Sequence, residues 1–128
     1  MGDDRATKAF DFKAMVEHVP AMVWTAQPNG ALDYVCPKVQ AYFGRTFDQM
    51  IEWGWAEVVH PEDLPSVGEH WSQSLETGRP YDIPFRIKRA SDGSYRMHLT
   101  RALPERGASG EILRWYGVTY DIEHLTPR

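Results

Sequence analysis

The feature that most constrains this chain is the alternation of apolar and polar residues from Tyr81 to Lys88, followed two residues later by Ser91-Asp92-Gly93. Tyr81, Ile83, Phe85 and Ile87 fall on one side of an extended run, and Asp82, Pro84, Arg86 and Lys88 fall on the other. Successive residues of a strand point to opposite faces, so the run predicts a half-buried strand. The Ser-Asp-Gly triplet suits a tight reversal, and Ser94–Leu103 is expected to pair back. Pro84 has no N–H to give a ladder, which puts the strand at a sheet edge or a bulge. Pro104–Gly110 then reads as a polar connection, and Glu111–Ile122 as the final and longest strand.

Upstream, residues 21–26 and 31–36 are two further β-like runs around Gln27-Pro28-Asn29-Gly30, which predicts a hairpin. Met22 and Trp24 share one face of the first run, and Leu32, Tyr34 and Cys36 share one on the second. Between hairpin and meander the period changes to that of helices. Pro37–Phe43 is expected to end at Gly44 and Thr46–Trp53 at Gly54, each glycine suited to a left-handed cap. Thr46 and Gln49 have capping-box spacing. A longer helix follows His60-Pro61, with both Pro61 and Pro65 in its first turn. It carries the stripe Leu64, Val67, Trp71 and Leu75 and stops before Gly78-Arg79-Pro80. Ahead of the hairpin, Phe12, Met15, Val16 and Val19 recur at helical spacing, and Pro20 closes that run. From residue 21 the order is β-β-α-α-α-β-β-β, which points to the α+β class: one sheet with helices packed on a single face.

A chain of 128 residues fits one domain, and five Trp, six Tyr and five Phe are available for its core. Fourteen Lys and Arg stand against eighteen Asp and Glu, with no basic block able to track phosphates, so nucleic acid is not an expected partner. No run is apolar enough to span a bilayer, and the start, Met1-Gly2-Asp3-Asp4-Arg5, lacks the apolar core of a signal peptide. A cytoplasmic location without membrane insertion is expected. Cys36 is the single cysteine and forms no internal disulfide, in keeping with a reducing compartment. No nucleophile with a base and no phosphate-binding loop stands out, so no catalytic residue is assigned and the chain is expected not to be an enzyme.

Several short motifs occur in a set order: Met22-Val23-Trp24, Trp53-Gly54-Trp55, Val59-His60-Pro61-Glu62-Asp63-Leu64, Gly78-Arg79-Pro80-Tyr81 and Phe85-Arg86-Ile87. Asp92-Gly93-Ser94-Tyr95-Arg96 follows, then Trp115-Tyr116-Gly117 leading to Asp121-Ile122. Taken together, over roughly residues 12–124, they make the chain resemble the PAS domains of bacterial signalling proteins. The resemblance implies a five-stranded antiparallel sheet whose concave face is covered by the helical segments, around an interior either packed solid or open to a small molecule. It divides the chain into a flanking amphipathic helix (1–20), a sensory domain (21–124) and the start of a C-terminal linker (125–128). It further implies a place in a histidine kinase or similar two-component protein, passing a ligand or partner signal to an output domain. Asp121-Ile122 matches the family's strand-end motif, with Glu123 where threonine is common, so Asp121, Ile122 and Glu123 are assigned to signal transmission. A homodimer is expected through the exposed sheet face and the helix before Pro20, where Phe10 and Phe12 need a surface to cover them.

The aromatic positions Trp24, Tyr34, Phe43, Trp71, Phe85 and Trp115 could line a ligand cavity, although core packing alone would ask for the same residues. Cys36 reads as a small buried hydrophobe, with a ligand-contacting thiol as the alternative. The flavin-binding branch of the family carries its cysteine in an Asn-Cys-Arg-Phe-Leu-Gln-like segment, which is not found here. His60, Glu62 and Asp63 read as a helix start whose acids complement the helix dipole, and no metal site is assigned. Some relatives hold haem through a histidine on the long helix. His70 lies on that helix about one turn past the corresponding place, near Val67, so no cofactor is expected, with haem on His70 as the alternative. Arg86, Arg96, Arg101 and Arg114 suggest a cross-strand ladder on a solvent face, with anion binding as the alternative. The rival to a sensor is a small curved-sheet enzyme or carrier with an aromatic cavity, which would need an ionisable residue inside, His98 or Asp33.

Overall fold

A computed structural model describes His18 and residues 21–125. The expected helix before Pro20, with the dimer contact assigned to Phe10 and Phe12, and the linker residues 126–128 lie outside the described residues. Five strands form one antiparallel sheet: β1 (Met22–Ala26), β2 (Leu32–Val35), β3 (Tyr81–Lys88), β4 (Tyr95–Arg106) and β5 (Ile112–Asp121), in the spatial order β2-β1-β5-β4-β3. Between β2 and β3 run α1 (Pro37–Phe43), α2 (Phe47–Met50), a 3-10 helix (Gly54–Val58) and α3 (Leu64–Thr77). This is the expected α+β architecture in the expected sequence order. Among the described residues no helix is long and apolar enough to cross a membrane.

β3 forms as its alternation demands, with Tyr81, Phe85 and Ile87 buried and Asp82, Pro84 and Lys88 exposed. It is an edge strand, where the missing N–H of Pro84 is tolerated. β4 runs past the expected end at Leu103 as far as Arg106, pairing Pro104 with Trp115 and Glu105 with Arg114. At 12 residues it is longer than the 10 of β5. The polar stretch taken for a connection is the solvated end of a strand, and the turn shrinks to Gly107–Glu111, closed by the Gly107 N–H on the Glu111 carbonyl (2.7 Å).

The first hairpin carries a bulge: Thr25 faces Tyr34 and Ala26 faces Leu32, which leaves Asp33 unpaired. The expected shared face of Leu32, Tyr34 and Cys36 is therefore broken, with Leu32 and Val35 buried in the core and Tyr34 half-buried against the edge of Phe47. Where β1 pairs with β5, Trp24 lies opposite Gly117, and a Cβ at that glycine would overlap the indole ring.

The capping box of α2 is formed, with the Gln49 N–H donating to Thr46 Oγ1 (3.2 Å) and the Thr46 N–H to Gln49 Oε1 (3.0 Å). The helix stops at Met50, short of the expected Trp53, because Glu52 leaves it to exchange both backbone bonds with Leu32 (2.7 and 3.1 Å). Glu52 adopts φ 58°, a strained left-handed conformation for a residue with a side chain. Gly54 is not a left-handed cap; its missing Cβ makes room for the Gln49 carbonyl. α3 begins at Leu64 with Pro65 in its first turn, and Pro61–Asp63 form a turn before it. Glu62 and Asp63 serve a neighbour rather than the helix dipole. Asp63 accepts from the Arg86 N–H (2.8 Å), Nε (3.0 Å) and Nη2 (2.7 Å), and Glu62 from Nη2 (3.3 Å), tying α3 to β3.

Candidate functional site

The helices do not fill the concave side of the sheet. A chamber of about 80 Å³ remains between them, lined by Trp24 from β1, Phe43 from α1, Trp71 from α3 and Phe85 from β3. These four of the seven sequence candidates come together there; the other three do not. Tyr34 is turned away by the bulge. Cys36 is fully buried against β1, its sulfur accepting from the Val23 N–H (3.3 Å) and lying 3.6 Å from the Ala21 carbonyl. Trp115, fully buried, stands behind Trp71 at 5.2 Å between ring centres.

Sequence reasoning missed the aliphatic wall, including Val39, Val58 and Val67, and missed Trp55, Tyr81, Thr100 and Thr119. Thr100 and Thr119 face each other across β4 and β5, a pairing that the alternation of both strands signals once their register is known. Most polar groups of the wall are engaged internally. Trp24 Nε1 donates to Thr119 Oγ1 (3.2 Å), the two threonine hydroxyls are 3.3 Å apart, and Trp71 Nε1 donates to the Gly30 carbonyl (3.2 Å). Tyr81 is the one titratable lining residue, and burial holds its phenol above the ordinary range. Its ring also borders a groove of about 300 Å³ between α3 and β3. His70 lies on that outer groove, exposed, with Nδ1 2.8 Å from the carbonyl of Ser66 on its own helix; it does not line the chamber.

At the end of β5 a charged cluster gathers. Asp121 accepts from Arg96 Nε (2.5 Å) and Nη2 (3.3 Å), from the Tyr42 hydroxyl (2.5 Å) and from the Glu123 N–H (3.0 Å). Glu123 reaches back to accept from the Met97 N–H (2.6 Å), and the Ile122 N–H donates to the Met97 carbonyl (2.9 Å). The three residues assigned to transmission are thus bonded to one another or to β4. Burial alone would raise the Asp121 carboxyl, but Arg96, Tyr42 and the Glu123 N–H together hold it well below the usual carboxylate range. Burial, reinforced by the bond to Asp121, holds the Tyr42 phenol above its ordinary range. His98 is wholly buried beside them, Nδ1 2.7 Å from the Arg96 carbonyl and Nε2 3.0 Å from the Tyr42 hydroxyl. Burial pushes its imidazole below the ordinary histidine range, against the opposing pull of that carbonyl and of Asp121.

The four arginines do not form a ladder. Each takes its own carboxylate: Arg86 with Asp63, Arg96 with Asp121, Arg101 with Asp82 (3.3 Å) and Arg114 with Asp33 (2.7 Å). Asp33, which also accepts from Thr25 Oγ1 (2.5 Å), lies outside the chamber lining, and so does His98. His60 accepts the Glu62 N–H on Nδ1 (3.0 Å) and packs on Tyr95, and the described residues contain no group of three or more His, Cys, Asp or Glu placed to hold a metal ion.

A family model for the PAS fold matches residues 32–119. The chain is 37% identical over 111 residues to the uncharacterised protein y4lL of Sinorhizobium fredii, covering 87% of this chain and 13% of that protein. It is 32% identical over 111 residues to the peroxide stress-activated histidine kinase mak1 of Schizosaccharomyces pombe, covering 86% of this chain and 7% of that one. Among solved structures, the N-terminal domain of a diguanylate cyclase with PAS/PAC sensor from Marinobacter aquaeolei superimposes with a TM-score of 0.72 at 25% identity, over 82% of this chain and 97% of that one. The chain spans only a small part, 13% or less, of the curated relatives it matches.

Proposed function

The chain belongs to the PAS-fold family, and on that footing we propose that it is a signal-input domain, without catalysis of its own, whose chamber takes a small molecule and whose strand end hands the signal to an output domain. One observation carries the reading. Consecutive residues of α1 serve the two regions: Phe43 is part of the chamber wall, and Tyr42 is bonded to Asp121 where β5 ends. A ligand that displaces α1 therefore acts on Asp121, Arg96 and Glu123 through a single turn of helix. Similarity to a histidine kinase and to a diguanylate cyclase supports an output domain of that kind; a homodimer in the cytoplasm is part of the same proposal. The enzyme or carrier alternative has less support, because neither His98 nor Asp33 lines the chamber.

The test uses a parent protein carrying an output domain, with Tyr42→Phe in the input domain. Output activity is expected to shift while the domain stays folded; unchanged output from a folded variant overturns the coupling. Light scattering over a concentration series addresses the dimer, which a strict monomer would refute.

A further inference from the structure

The polar contacts of His98 can be counted in hydrogens, and they come out one short. Its Nδ1 lies 2.7 Å from the Arg96 carbonyl, its Nε2 lies 3.0 Å from the Tyr42 hydroxyl, and that hydroxyl lies 2.5 Å from Asp121 Oδ2. A carbonyl and a carboxylate only accept, so the Arg96 contact needs a hydrogen on Nδ1 and the Asp121 contact takes the phenol hydrogen. The Tyr42 oxygen then has only a lone pair to offer Nε2, and a bond there needs a hydrogen on that nitrogen too. Three contacts call for three hydrogens, whereas a neutral imidazole and a phenol together carry two. The other neutral tautomer does no better, since it sets a bare Nδ1 against the Arg96 carbonyl at 2.7 Å. The missing hydrogen is the one that turns imidazole into imidazolium.

The surroundings divide over that charge. His98 is wholly buried, which opposes it. Asp121 and Glu123 favour it and Arg96 opposes it, so two carboxylates face one guanidinium. From α1 come Tyr42 and the uncharged Phe43, and β3 presents the uncharged Phe85 opposite His98. Arg89 acts on Tyr42 and is itself held by Asp92 (2.6 Å). Burial prevails at neutral pH, and the ring charges only as pH falls below about 6.5. We infer that His98 is a proton-binding site and a second input to the strand end: its imidazolium donates to the Tyr42 hydroxyl, tying α1 to β4 while Tyr42 stays on Asp121. The proton thus acts on the residue through which a chamber ligand reaches Asp121, and it opposes displacement of α1. This inference rests on the strand end being the route to an output domain, as proposed above.

The experiment is a titration of the intact chain from about pH 7.5 to about pH 4.5, followed by nitrogen-15 NMR of the His98 ring, which reports the hydrogen on each nitrogen. At the upper end the hydrogen is expected on Nδ1 alone. On acidification Nε2 is expected to gain one, and the Glu123 backbone amide, bonded to Asp121, is expected to shift with the same midpoint. Tyr42→Phe keeps the ring and removes the oxygen that receives the new hydrogen. Its midpoint is expected to fall by about one pH unit, a tenfold loss of proton affinity on the scale of a hydrogen bond to a charged group. A midpoint that rises shows that the hydroxyl had been donating to neutral His98, and overturns the assignment; so does an unchanged midpoint, or a ring that stays neutral until the chain unfolds. Should Tyr42→Phe not fold, a wild type with its hydrogen on Nε2 at neutral pH already refutes the count. In a parent protein carrying an output domain, output is expected to change at the His98 midpoint and to follow that midpoint in Tyr42→Phe. Output that Tyr42→Phe alters at about pH 7.5 but that ignores the His98 midpoint overturns the second input and leaves the ligand coupling standing. Output that neither change affects overturns both.

Discussion

The chamber and the strand-end cluster meet at α1 and are built on opposite terms. Around the chamber the side chains are neutral, space is left over and one buried donor has nothing to bond. Around Asp121 there is a hydrogen-bond partner for each carboxylate oxygen and for the hydroxyl of Tyr42, and the ion pair with Arg96 is only about a fifth to a quarter exposed (20% and 24%). The difference bears on transmission. A region with slack accommodates a newcomer at small cost, whereas a saturated hydrogen-bond network has few alternative arrangements and moves as a piece. The aromatic rings of Tyr42, Phe43 and His98, with centres 4.8 to 5.9 Å apart, pack between the two.

The contrast can be broken first at the wall. Phe43→Ala is expected to lower stability by about 3 kcal/mol and to enlarge the chamber; a loss under about 1 kcal/mol in urea unfolding would show that Phe43 holds nothing in place. At the cluster, Asp121→Ala is expected to cost about 2 kcal/mol in the same measurement, because charge-assisted bonds vanish and Arg96 loses its partner. That exceeds the roughly 1 kcal/mol expected of a simple cap. Asp121→Asn, which keeps an acceptor for Tyr42, is expected to cost less.

A pH series separates the groups within the cluster. The folded pKa of His98 lies below its unfolded value of about 6.5, so the unfolded chain takes up the proton first. Its contribution is complete above about pH 6.5 and is lost as pH falls toward the folded pKa, at no more than about 1.4 kcal/mol per pH unit. Asp121 is also depressed, but from a carboxylate value of about 4, so its contribution persists until pH falls below that. Thermal melts between about pH 7.5 and about pH 5 are expected to show a decline that His98→Gln removes and Asp121→Asn does not. The smallest effect is expected at Arg101–Asp82, whose side chains are 59% and 49% exposed: Asp82→Ala should leave the urea midpoint unchanged within error.

What the sequence disclosed follows the range of the interactions involved. The β3 alternation, the Thr46 capping box and the left-handed cap at Gly44 are local, and each appears where its pattern predicted. The bulge at Asp33 and the early end of α2 were hidden because both depend on partners elsewhere, Ala26 for one and Leu32 for the other. At the site, large aromatic residues announced Trp24, Phe43, Trp71 and Phe85, whereas the valines and threonines of the wall look like those of any strand or helix. Asp121 was legible as a strand end, but its partners Arg96 and Tyr42 lie 25 and 79 residues away, and only the fold brings them together.

On the sensing role proposed above, Gly117 bears on what the chamber takes in. Trp24 lies against the sheet because residue 117 bears only a hydrogen on that side. A methyl group there would lever the indole away from β5, and Trp24 is one wall of the chamber. The bore is thus set by clearance behind the wall, at a residue that never meets the contents. A lineage could retune which molecules it admits through this one position while every contact residue stayed the same, so two such domains with matching pockets on paper could still answer to different stimuli.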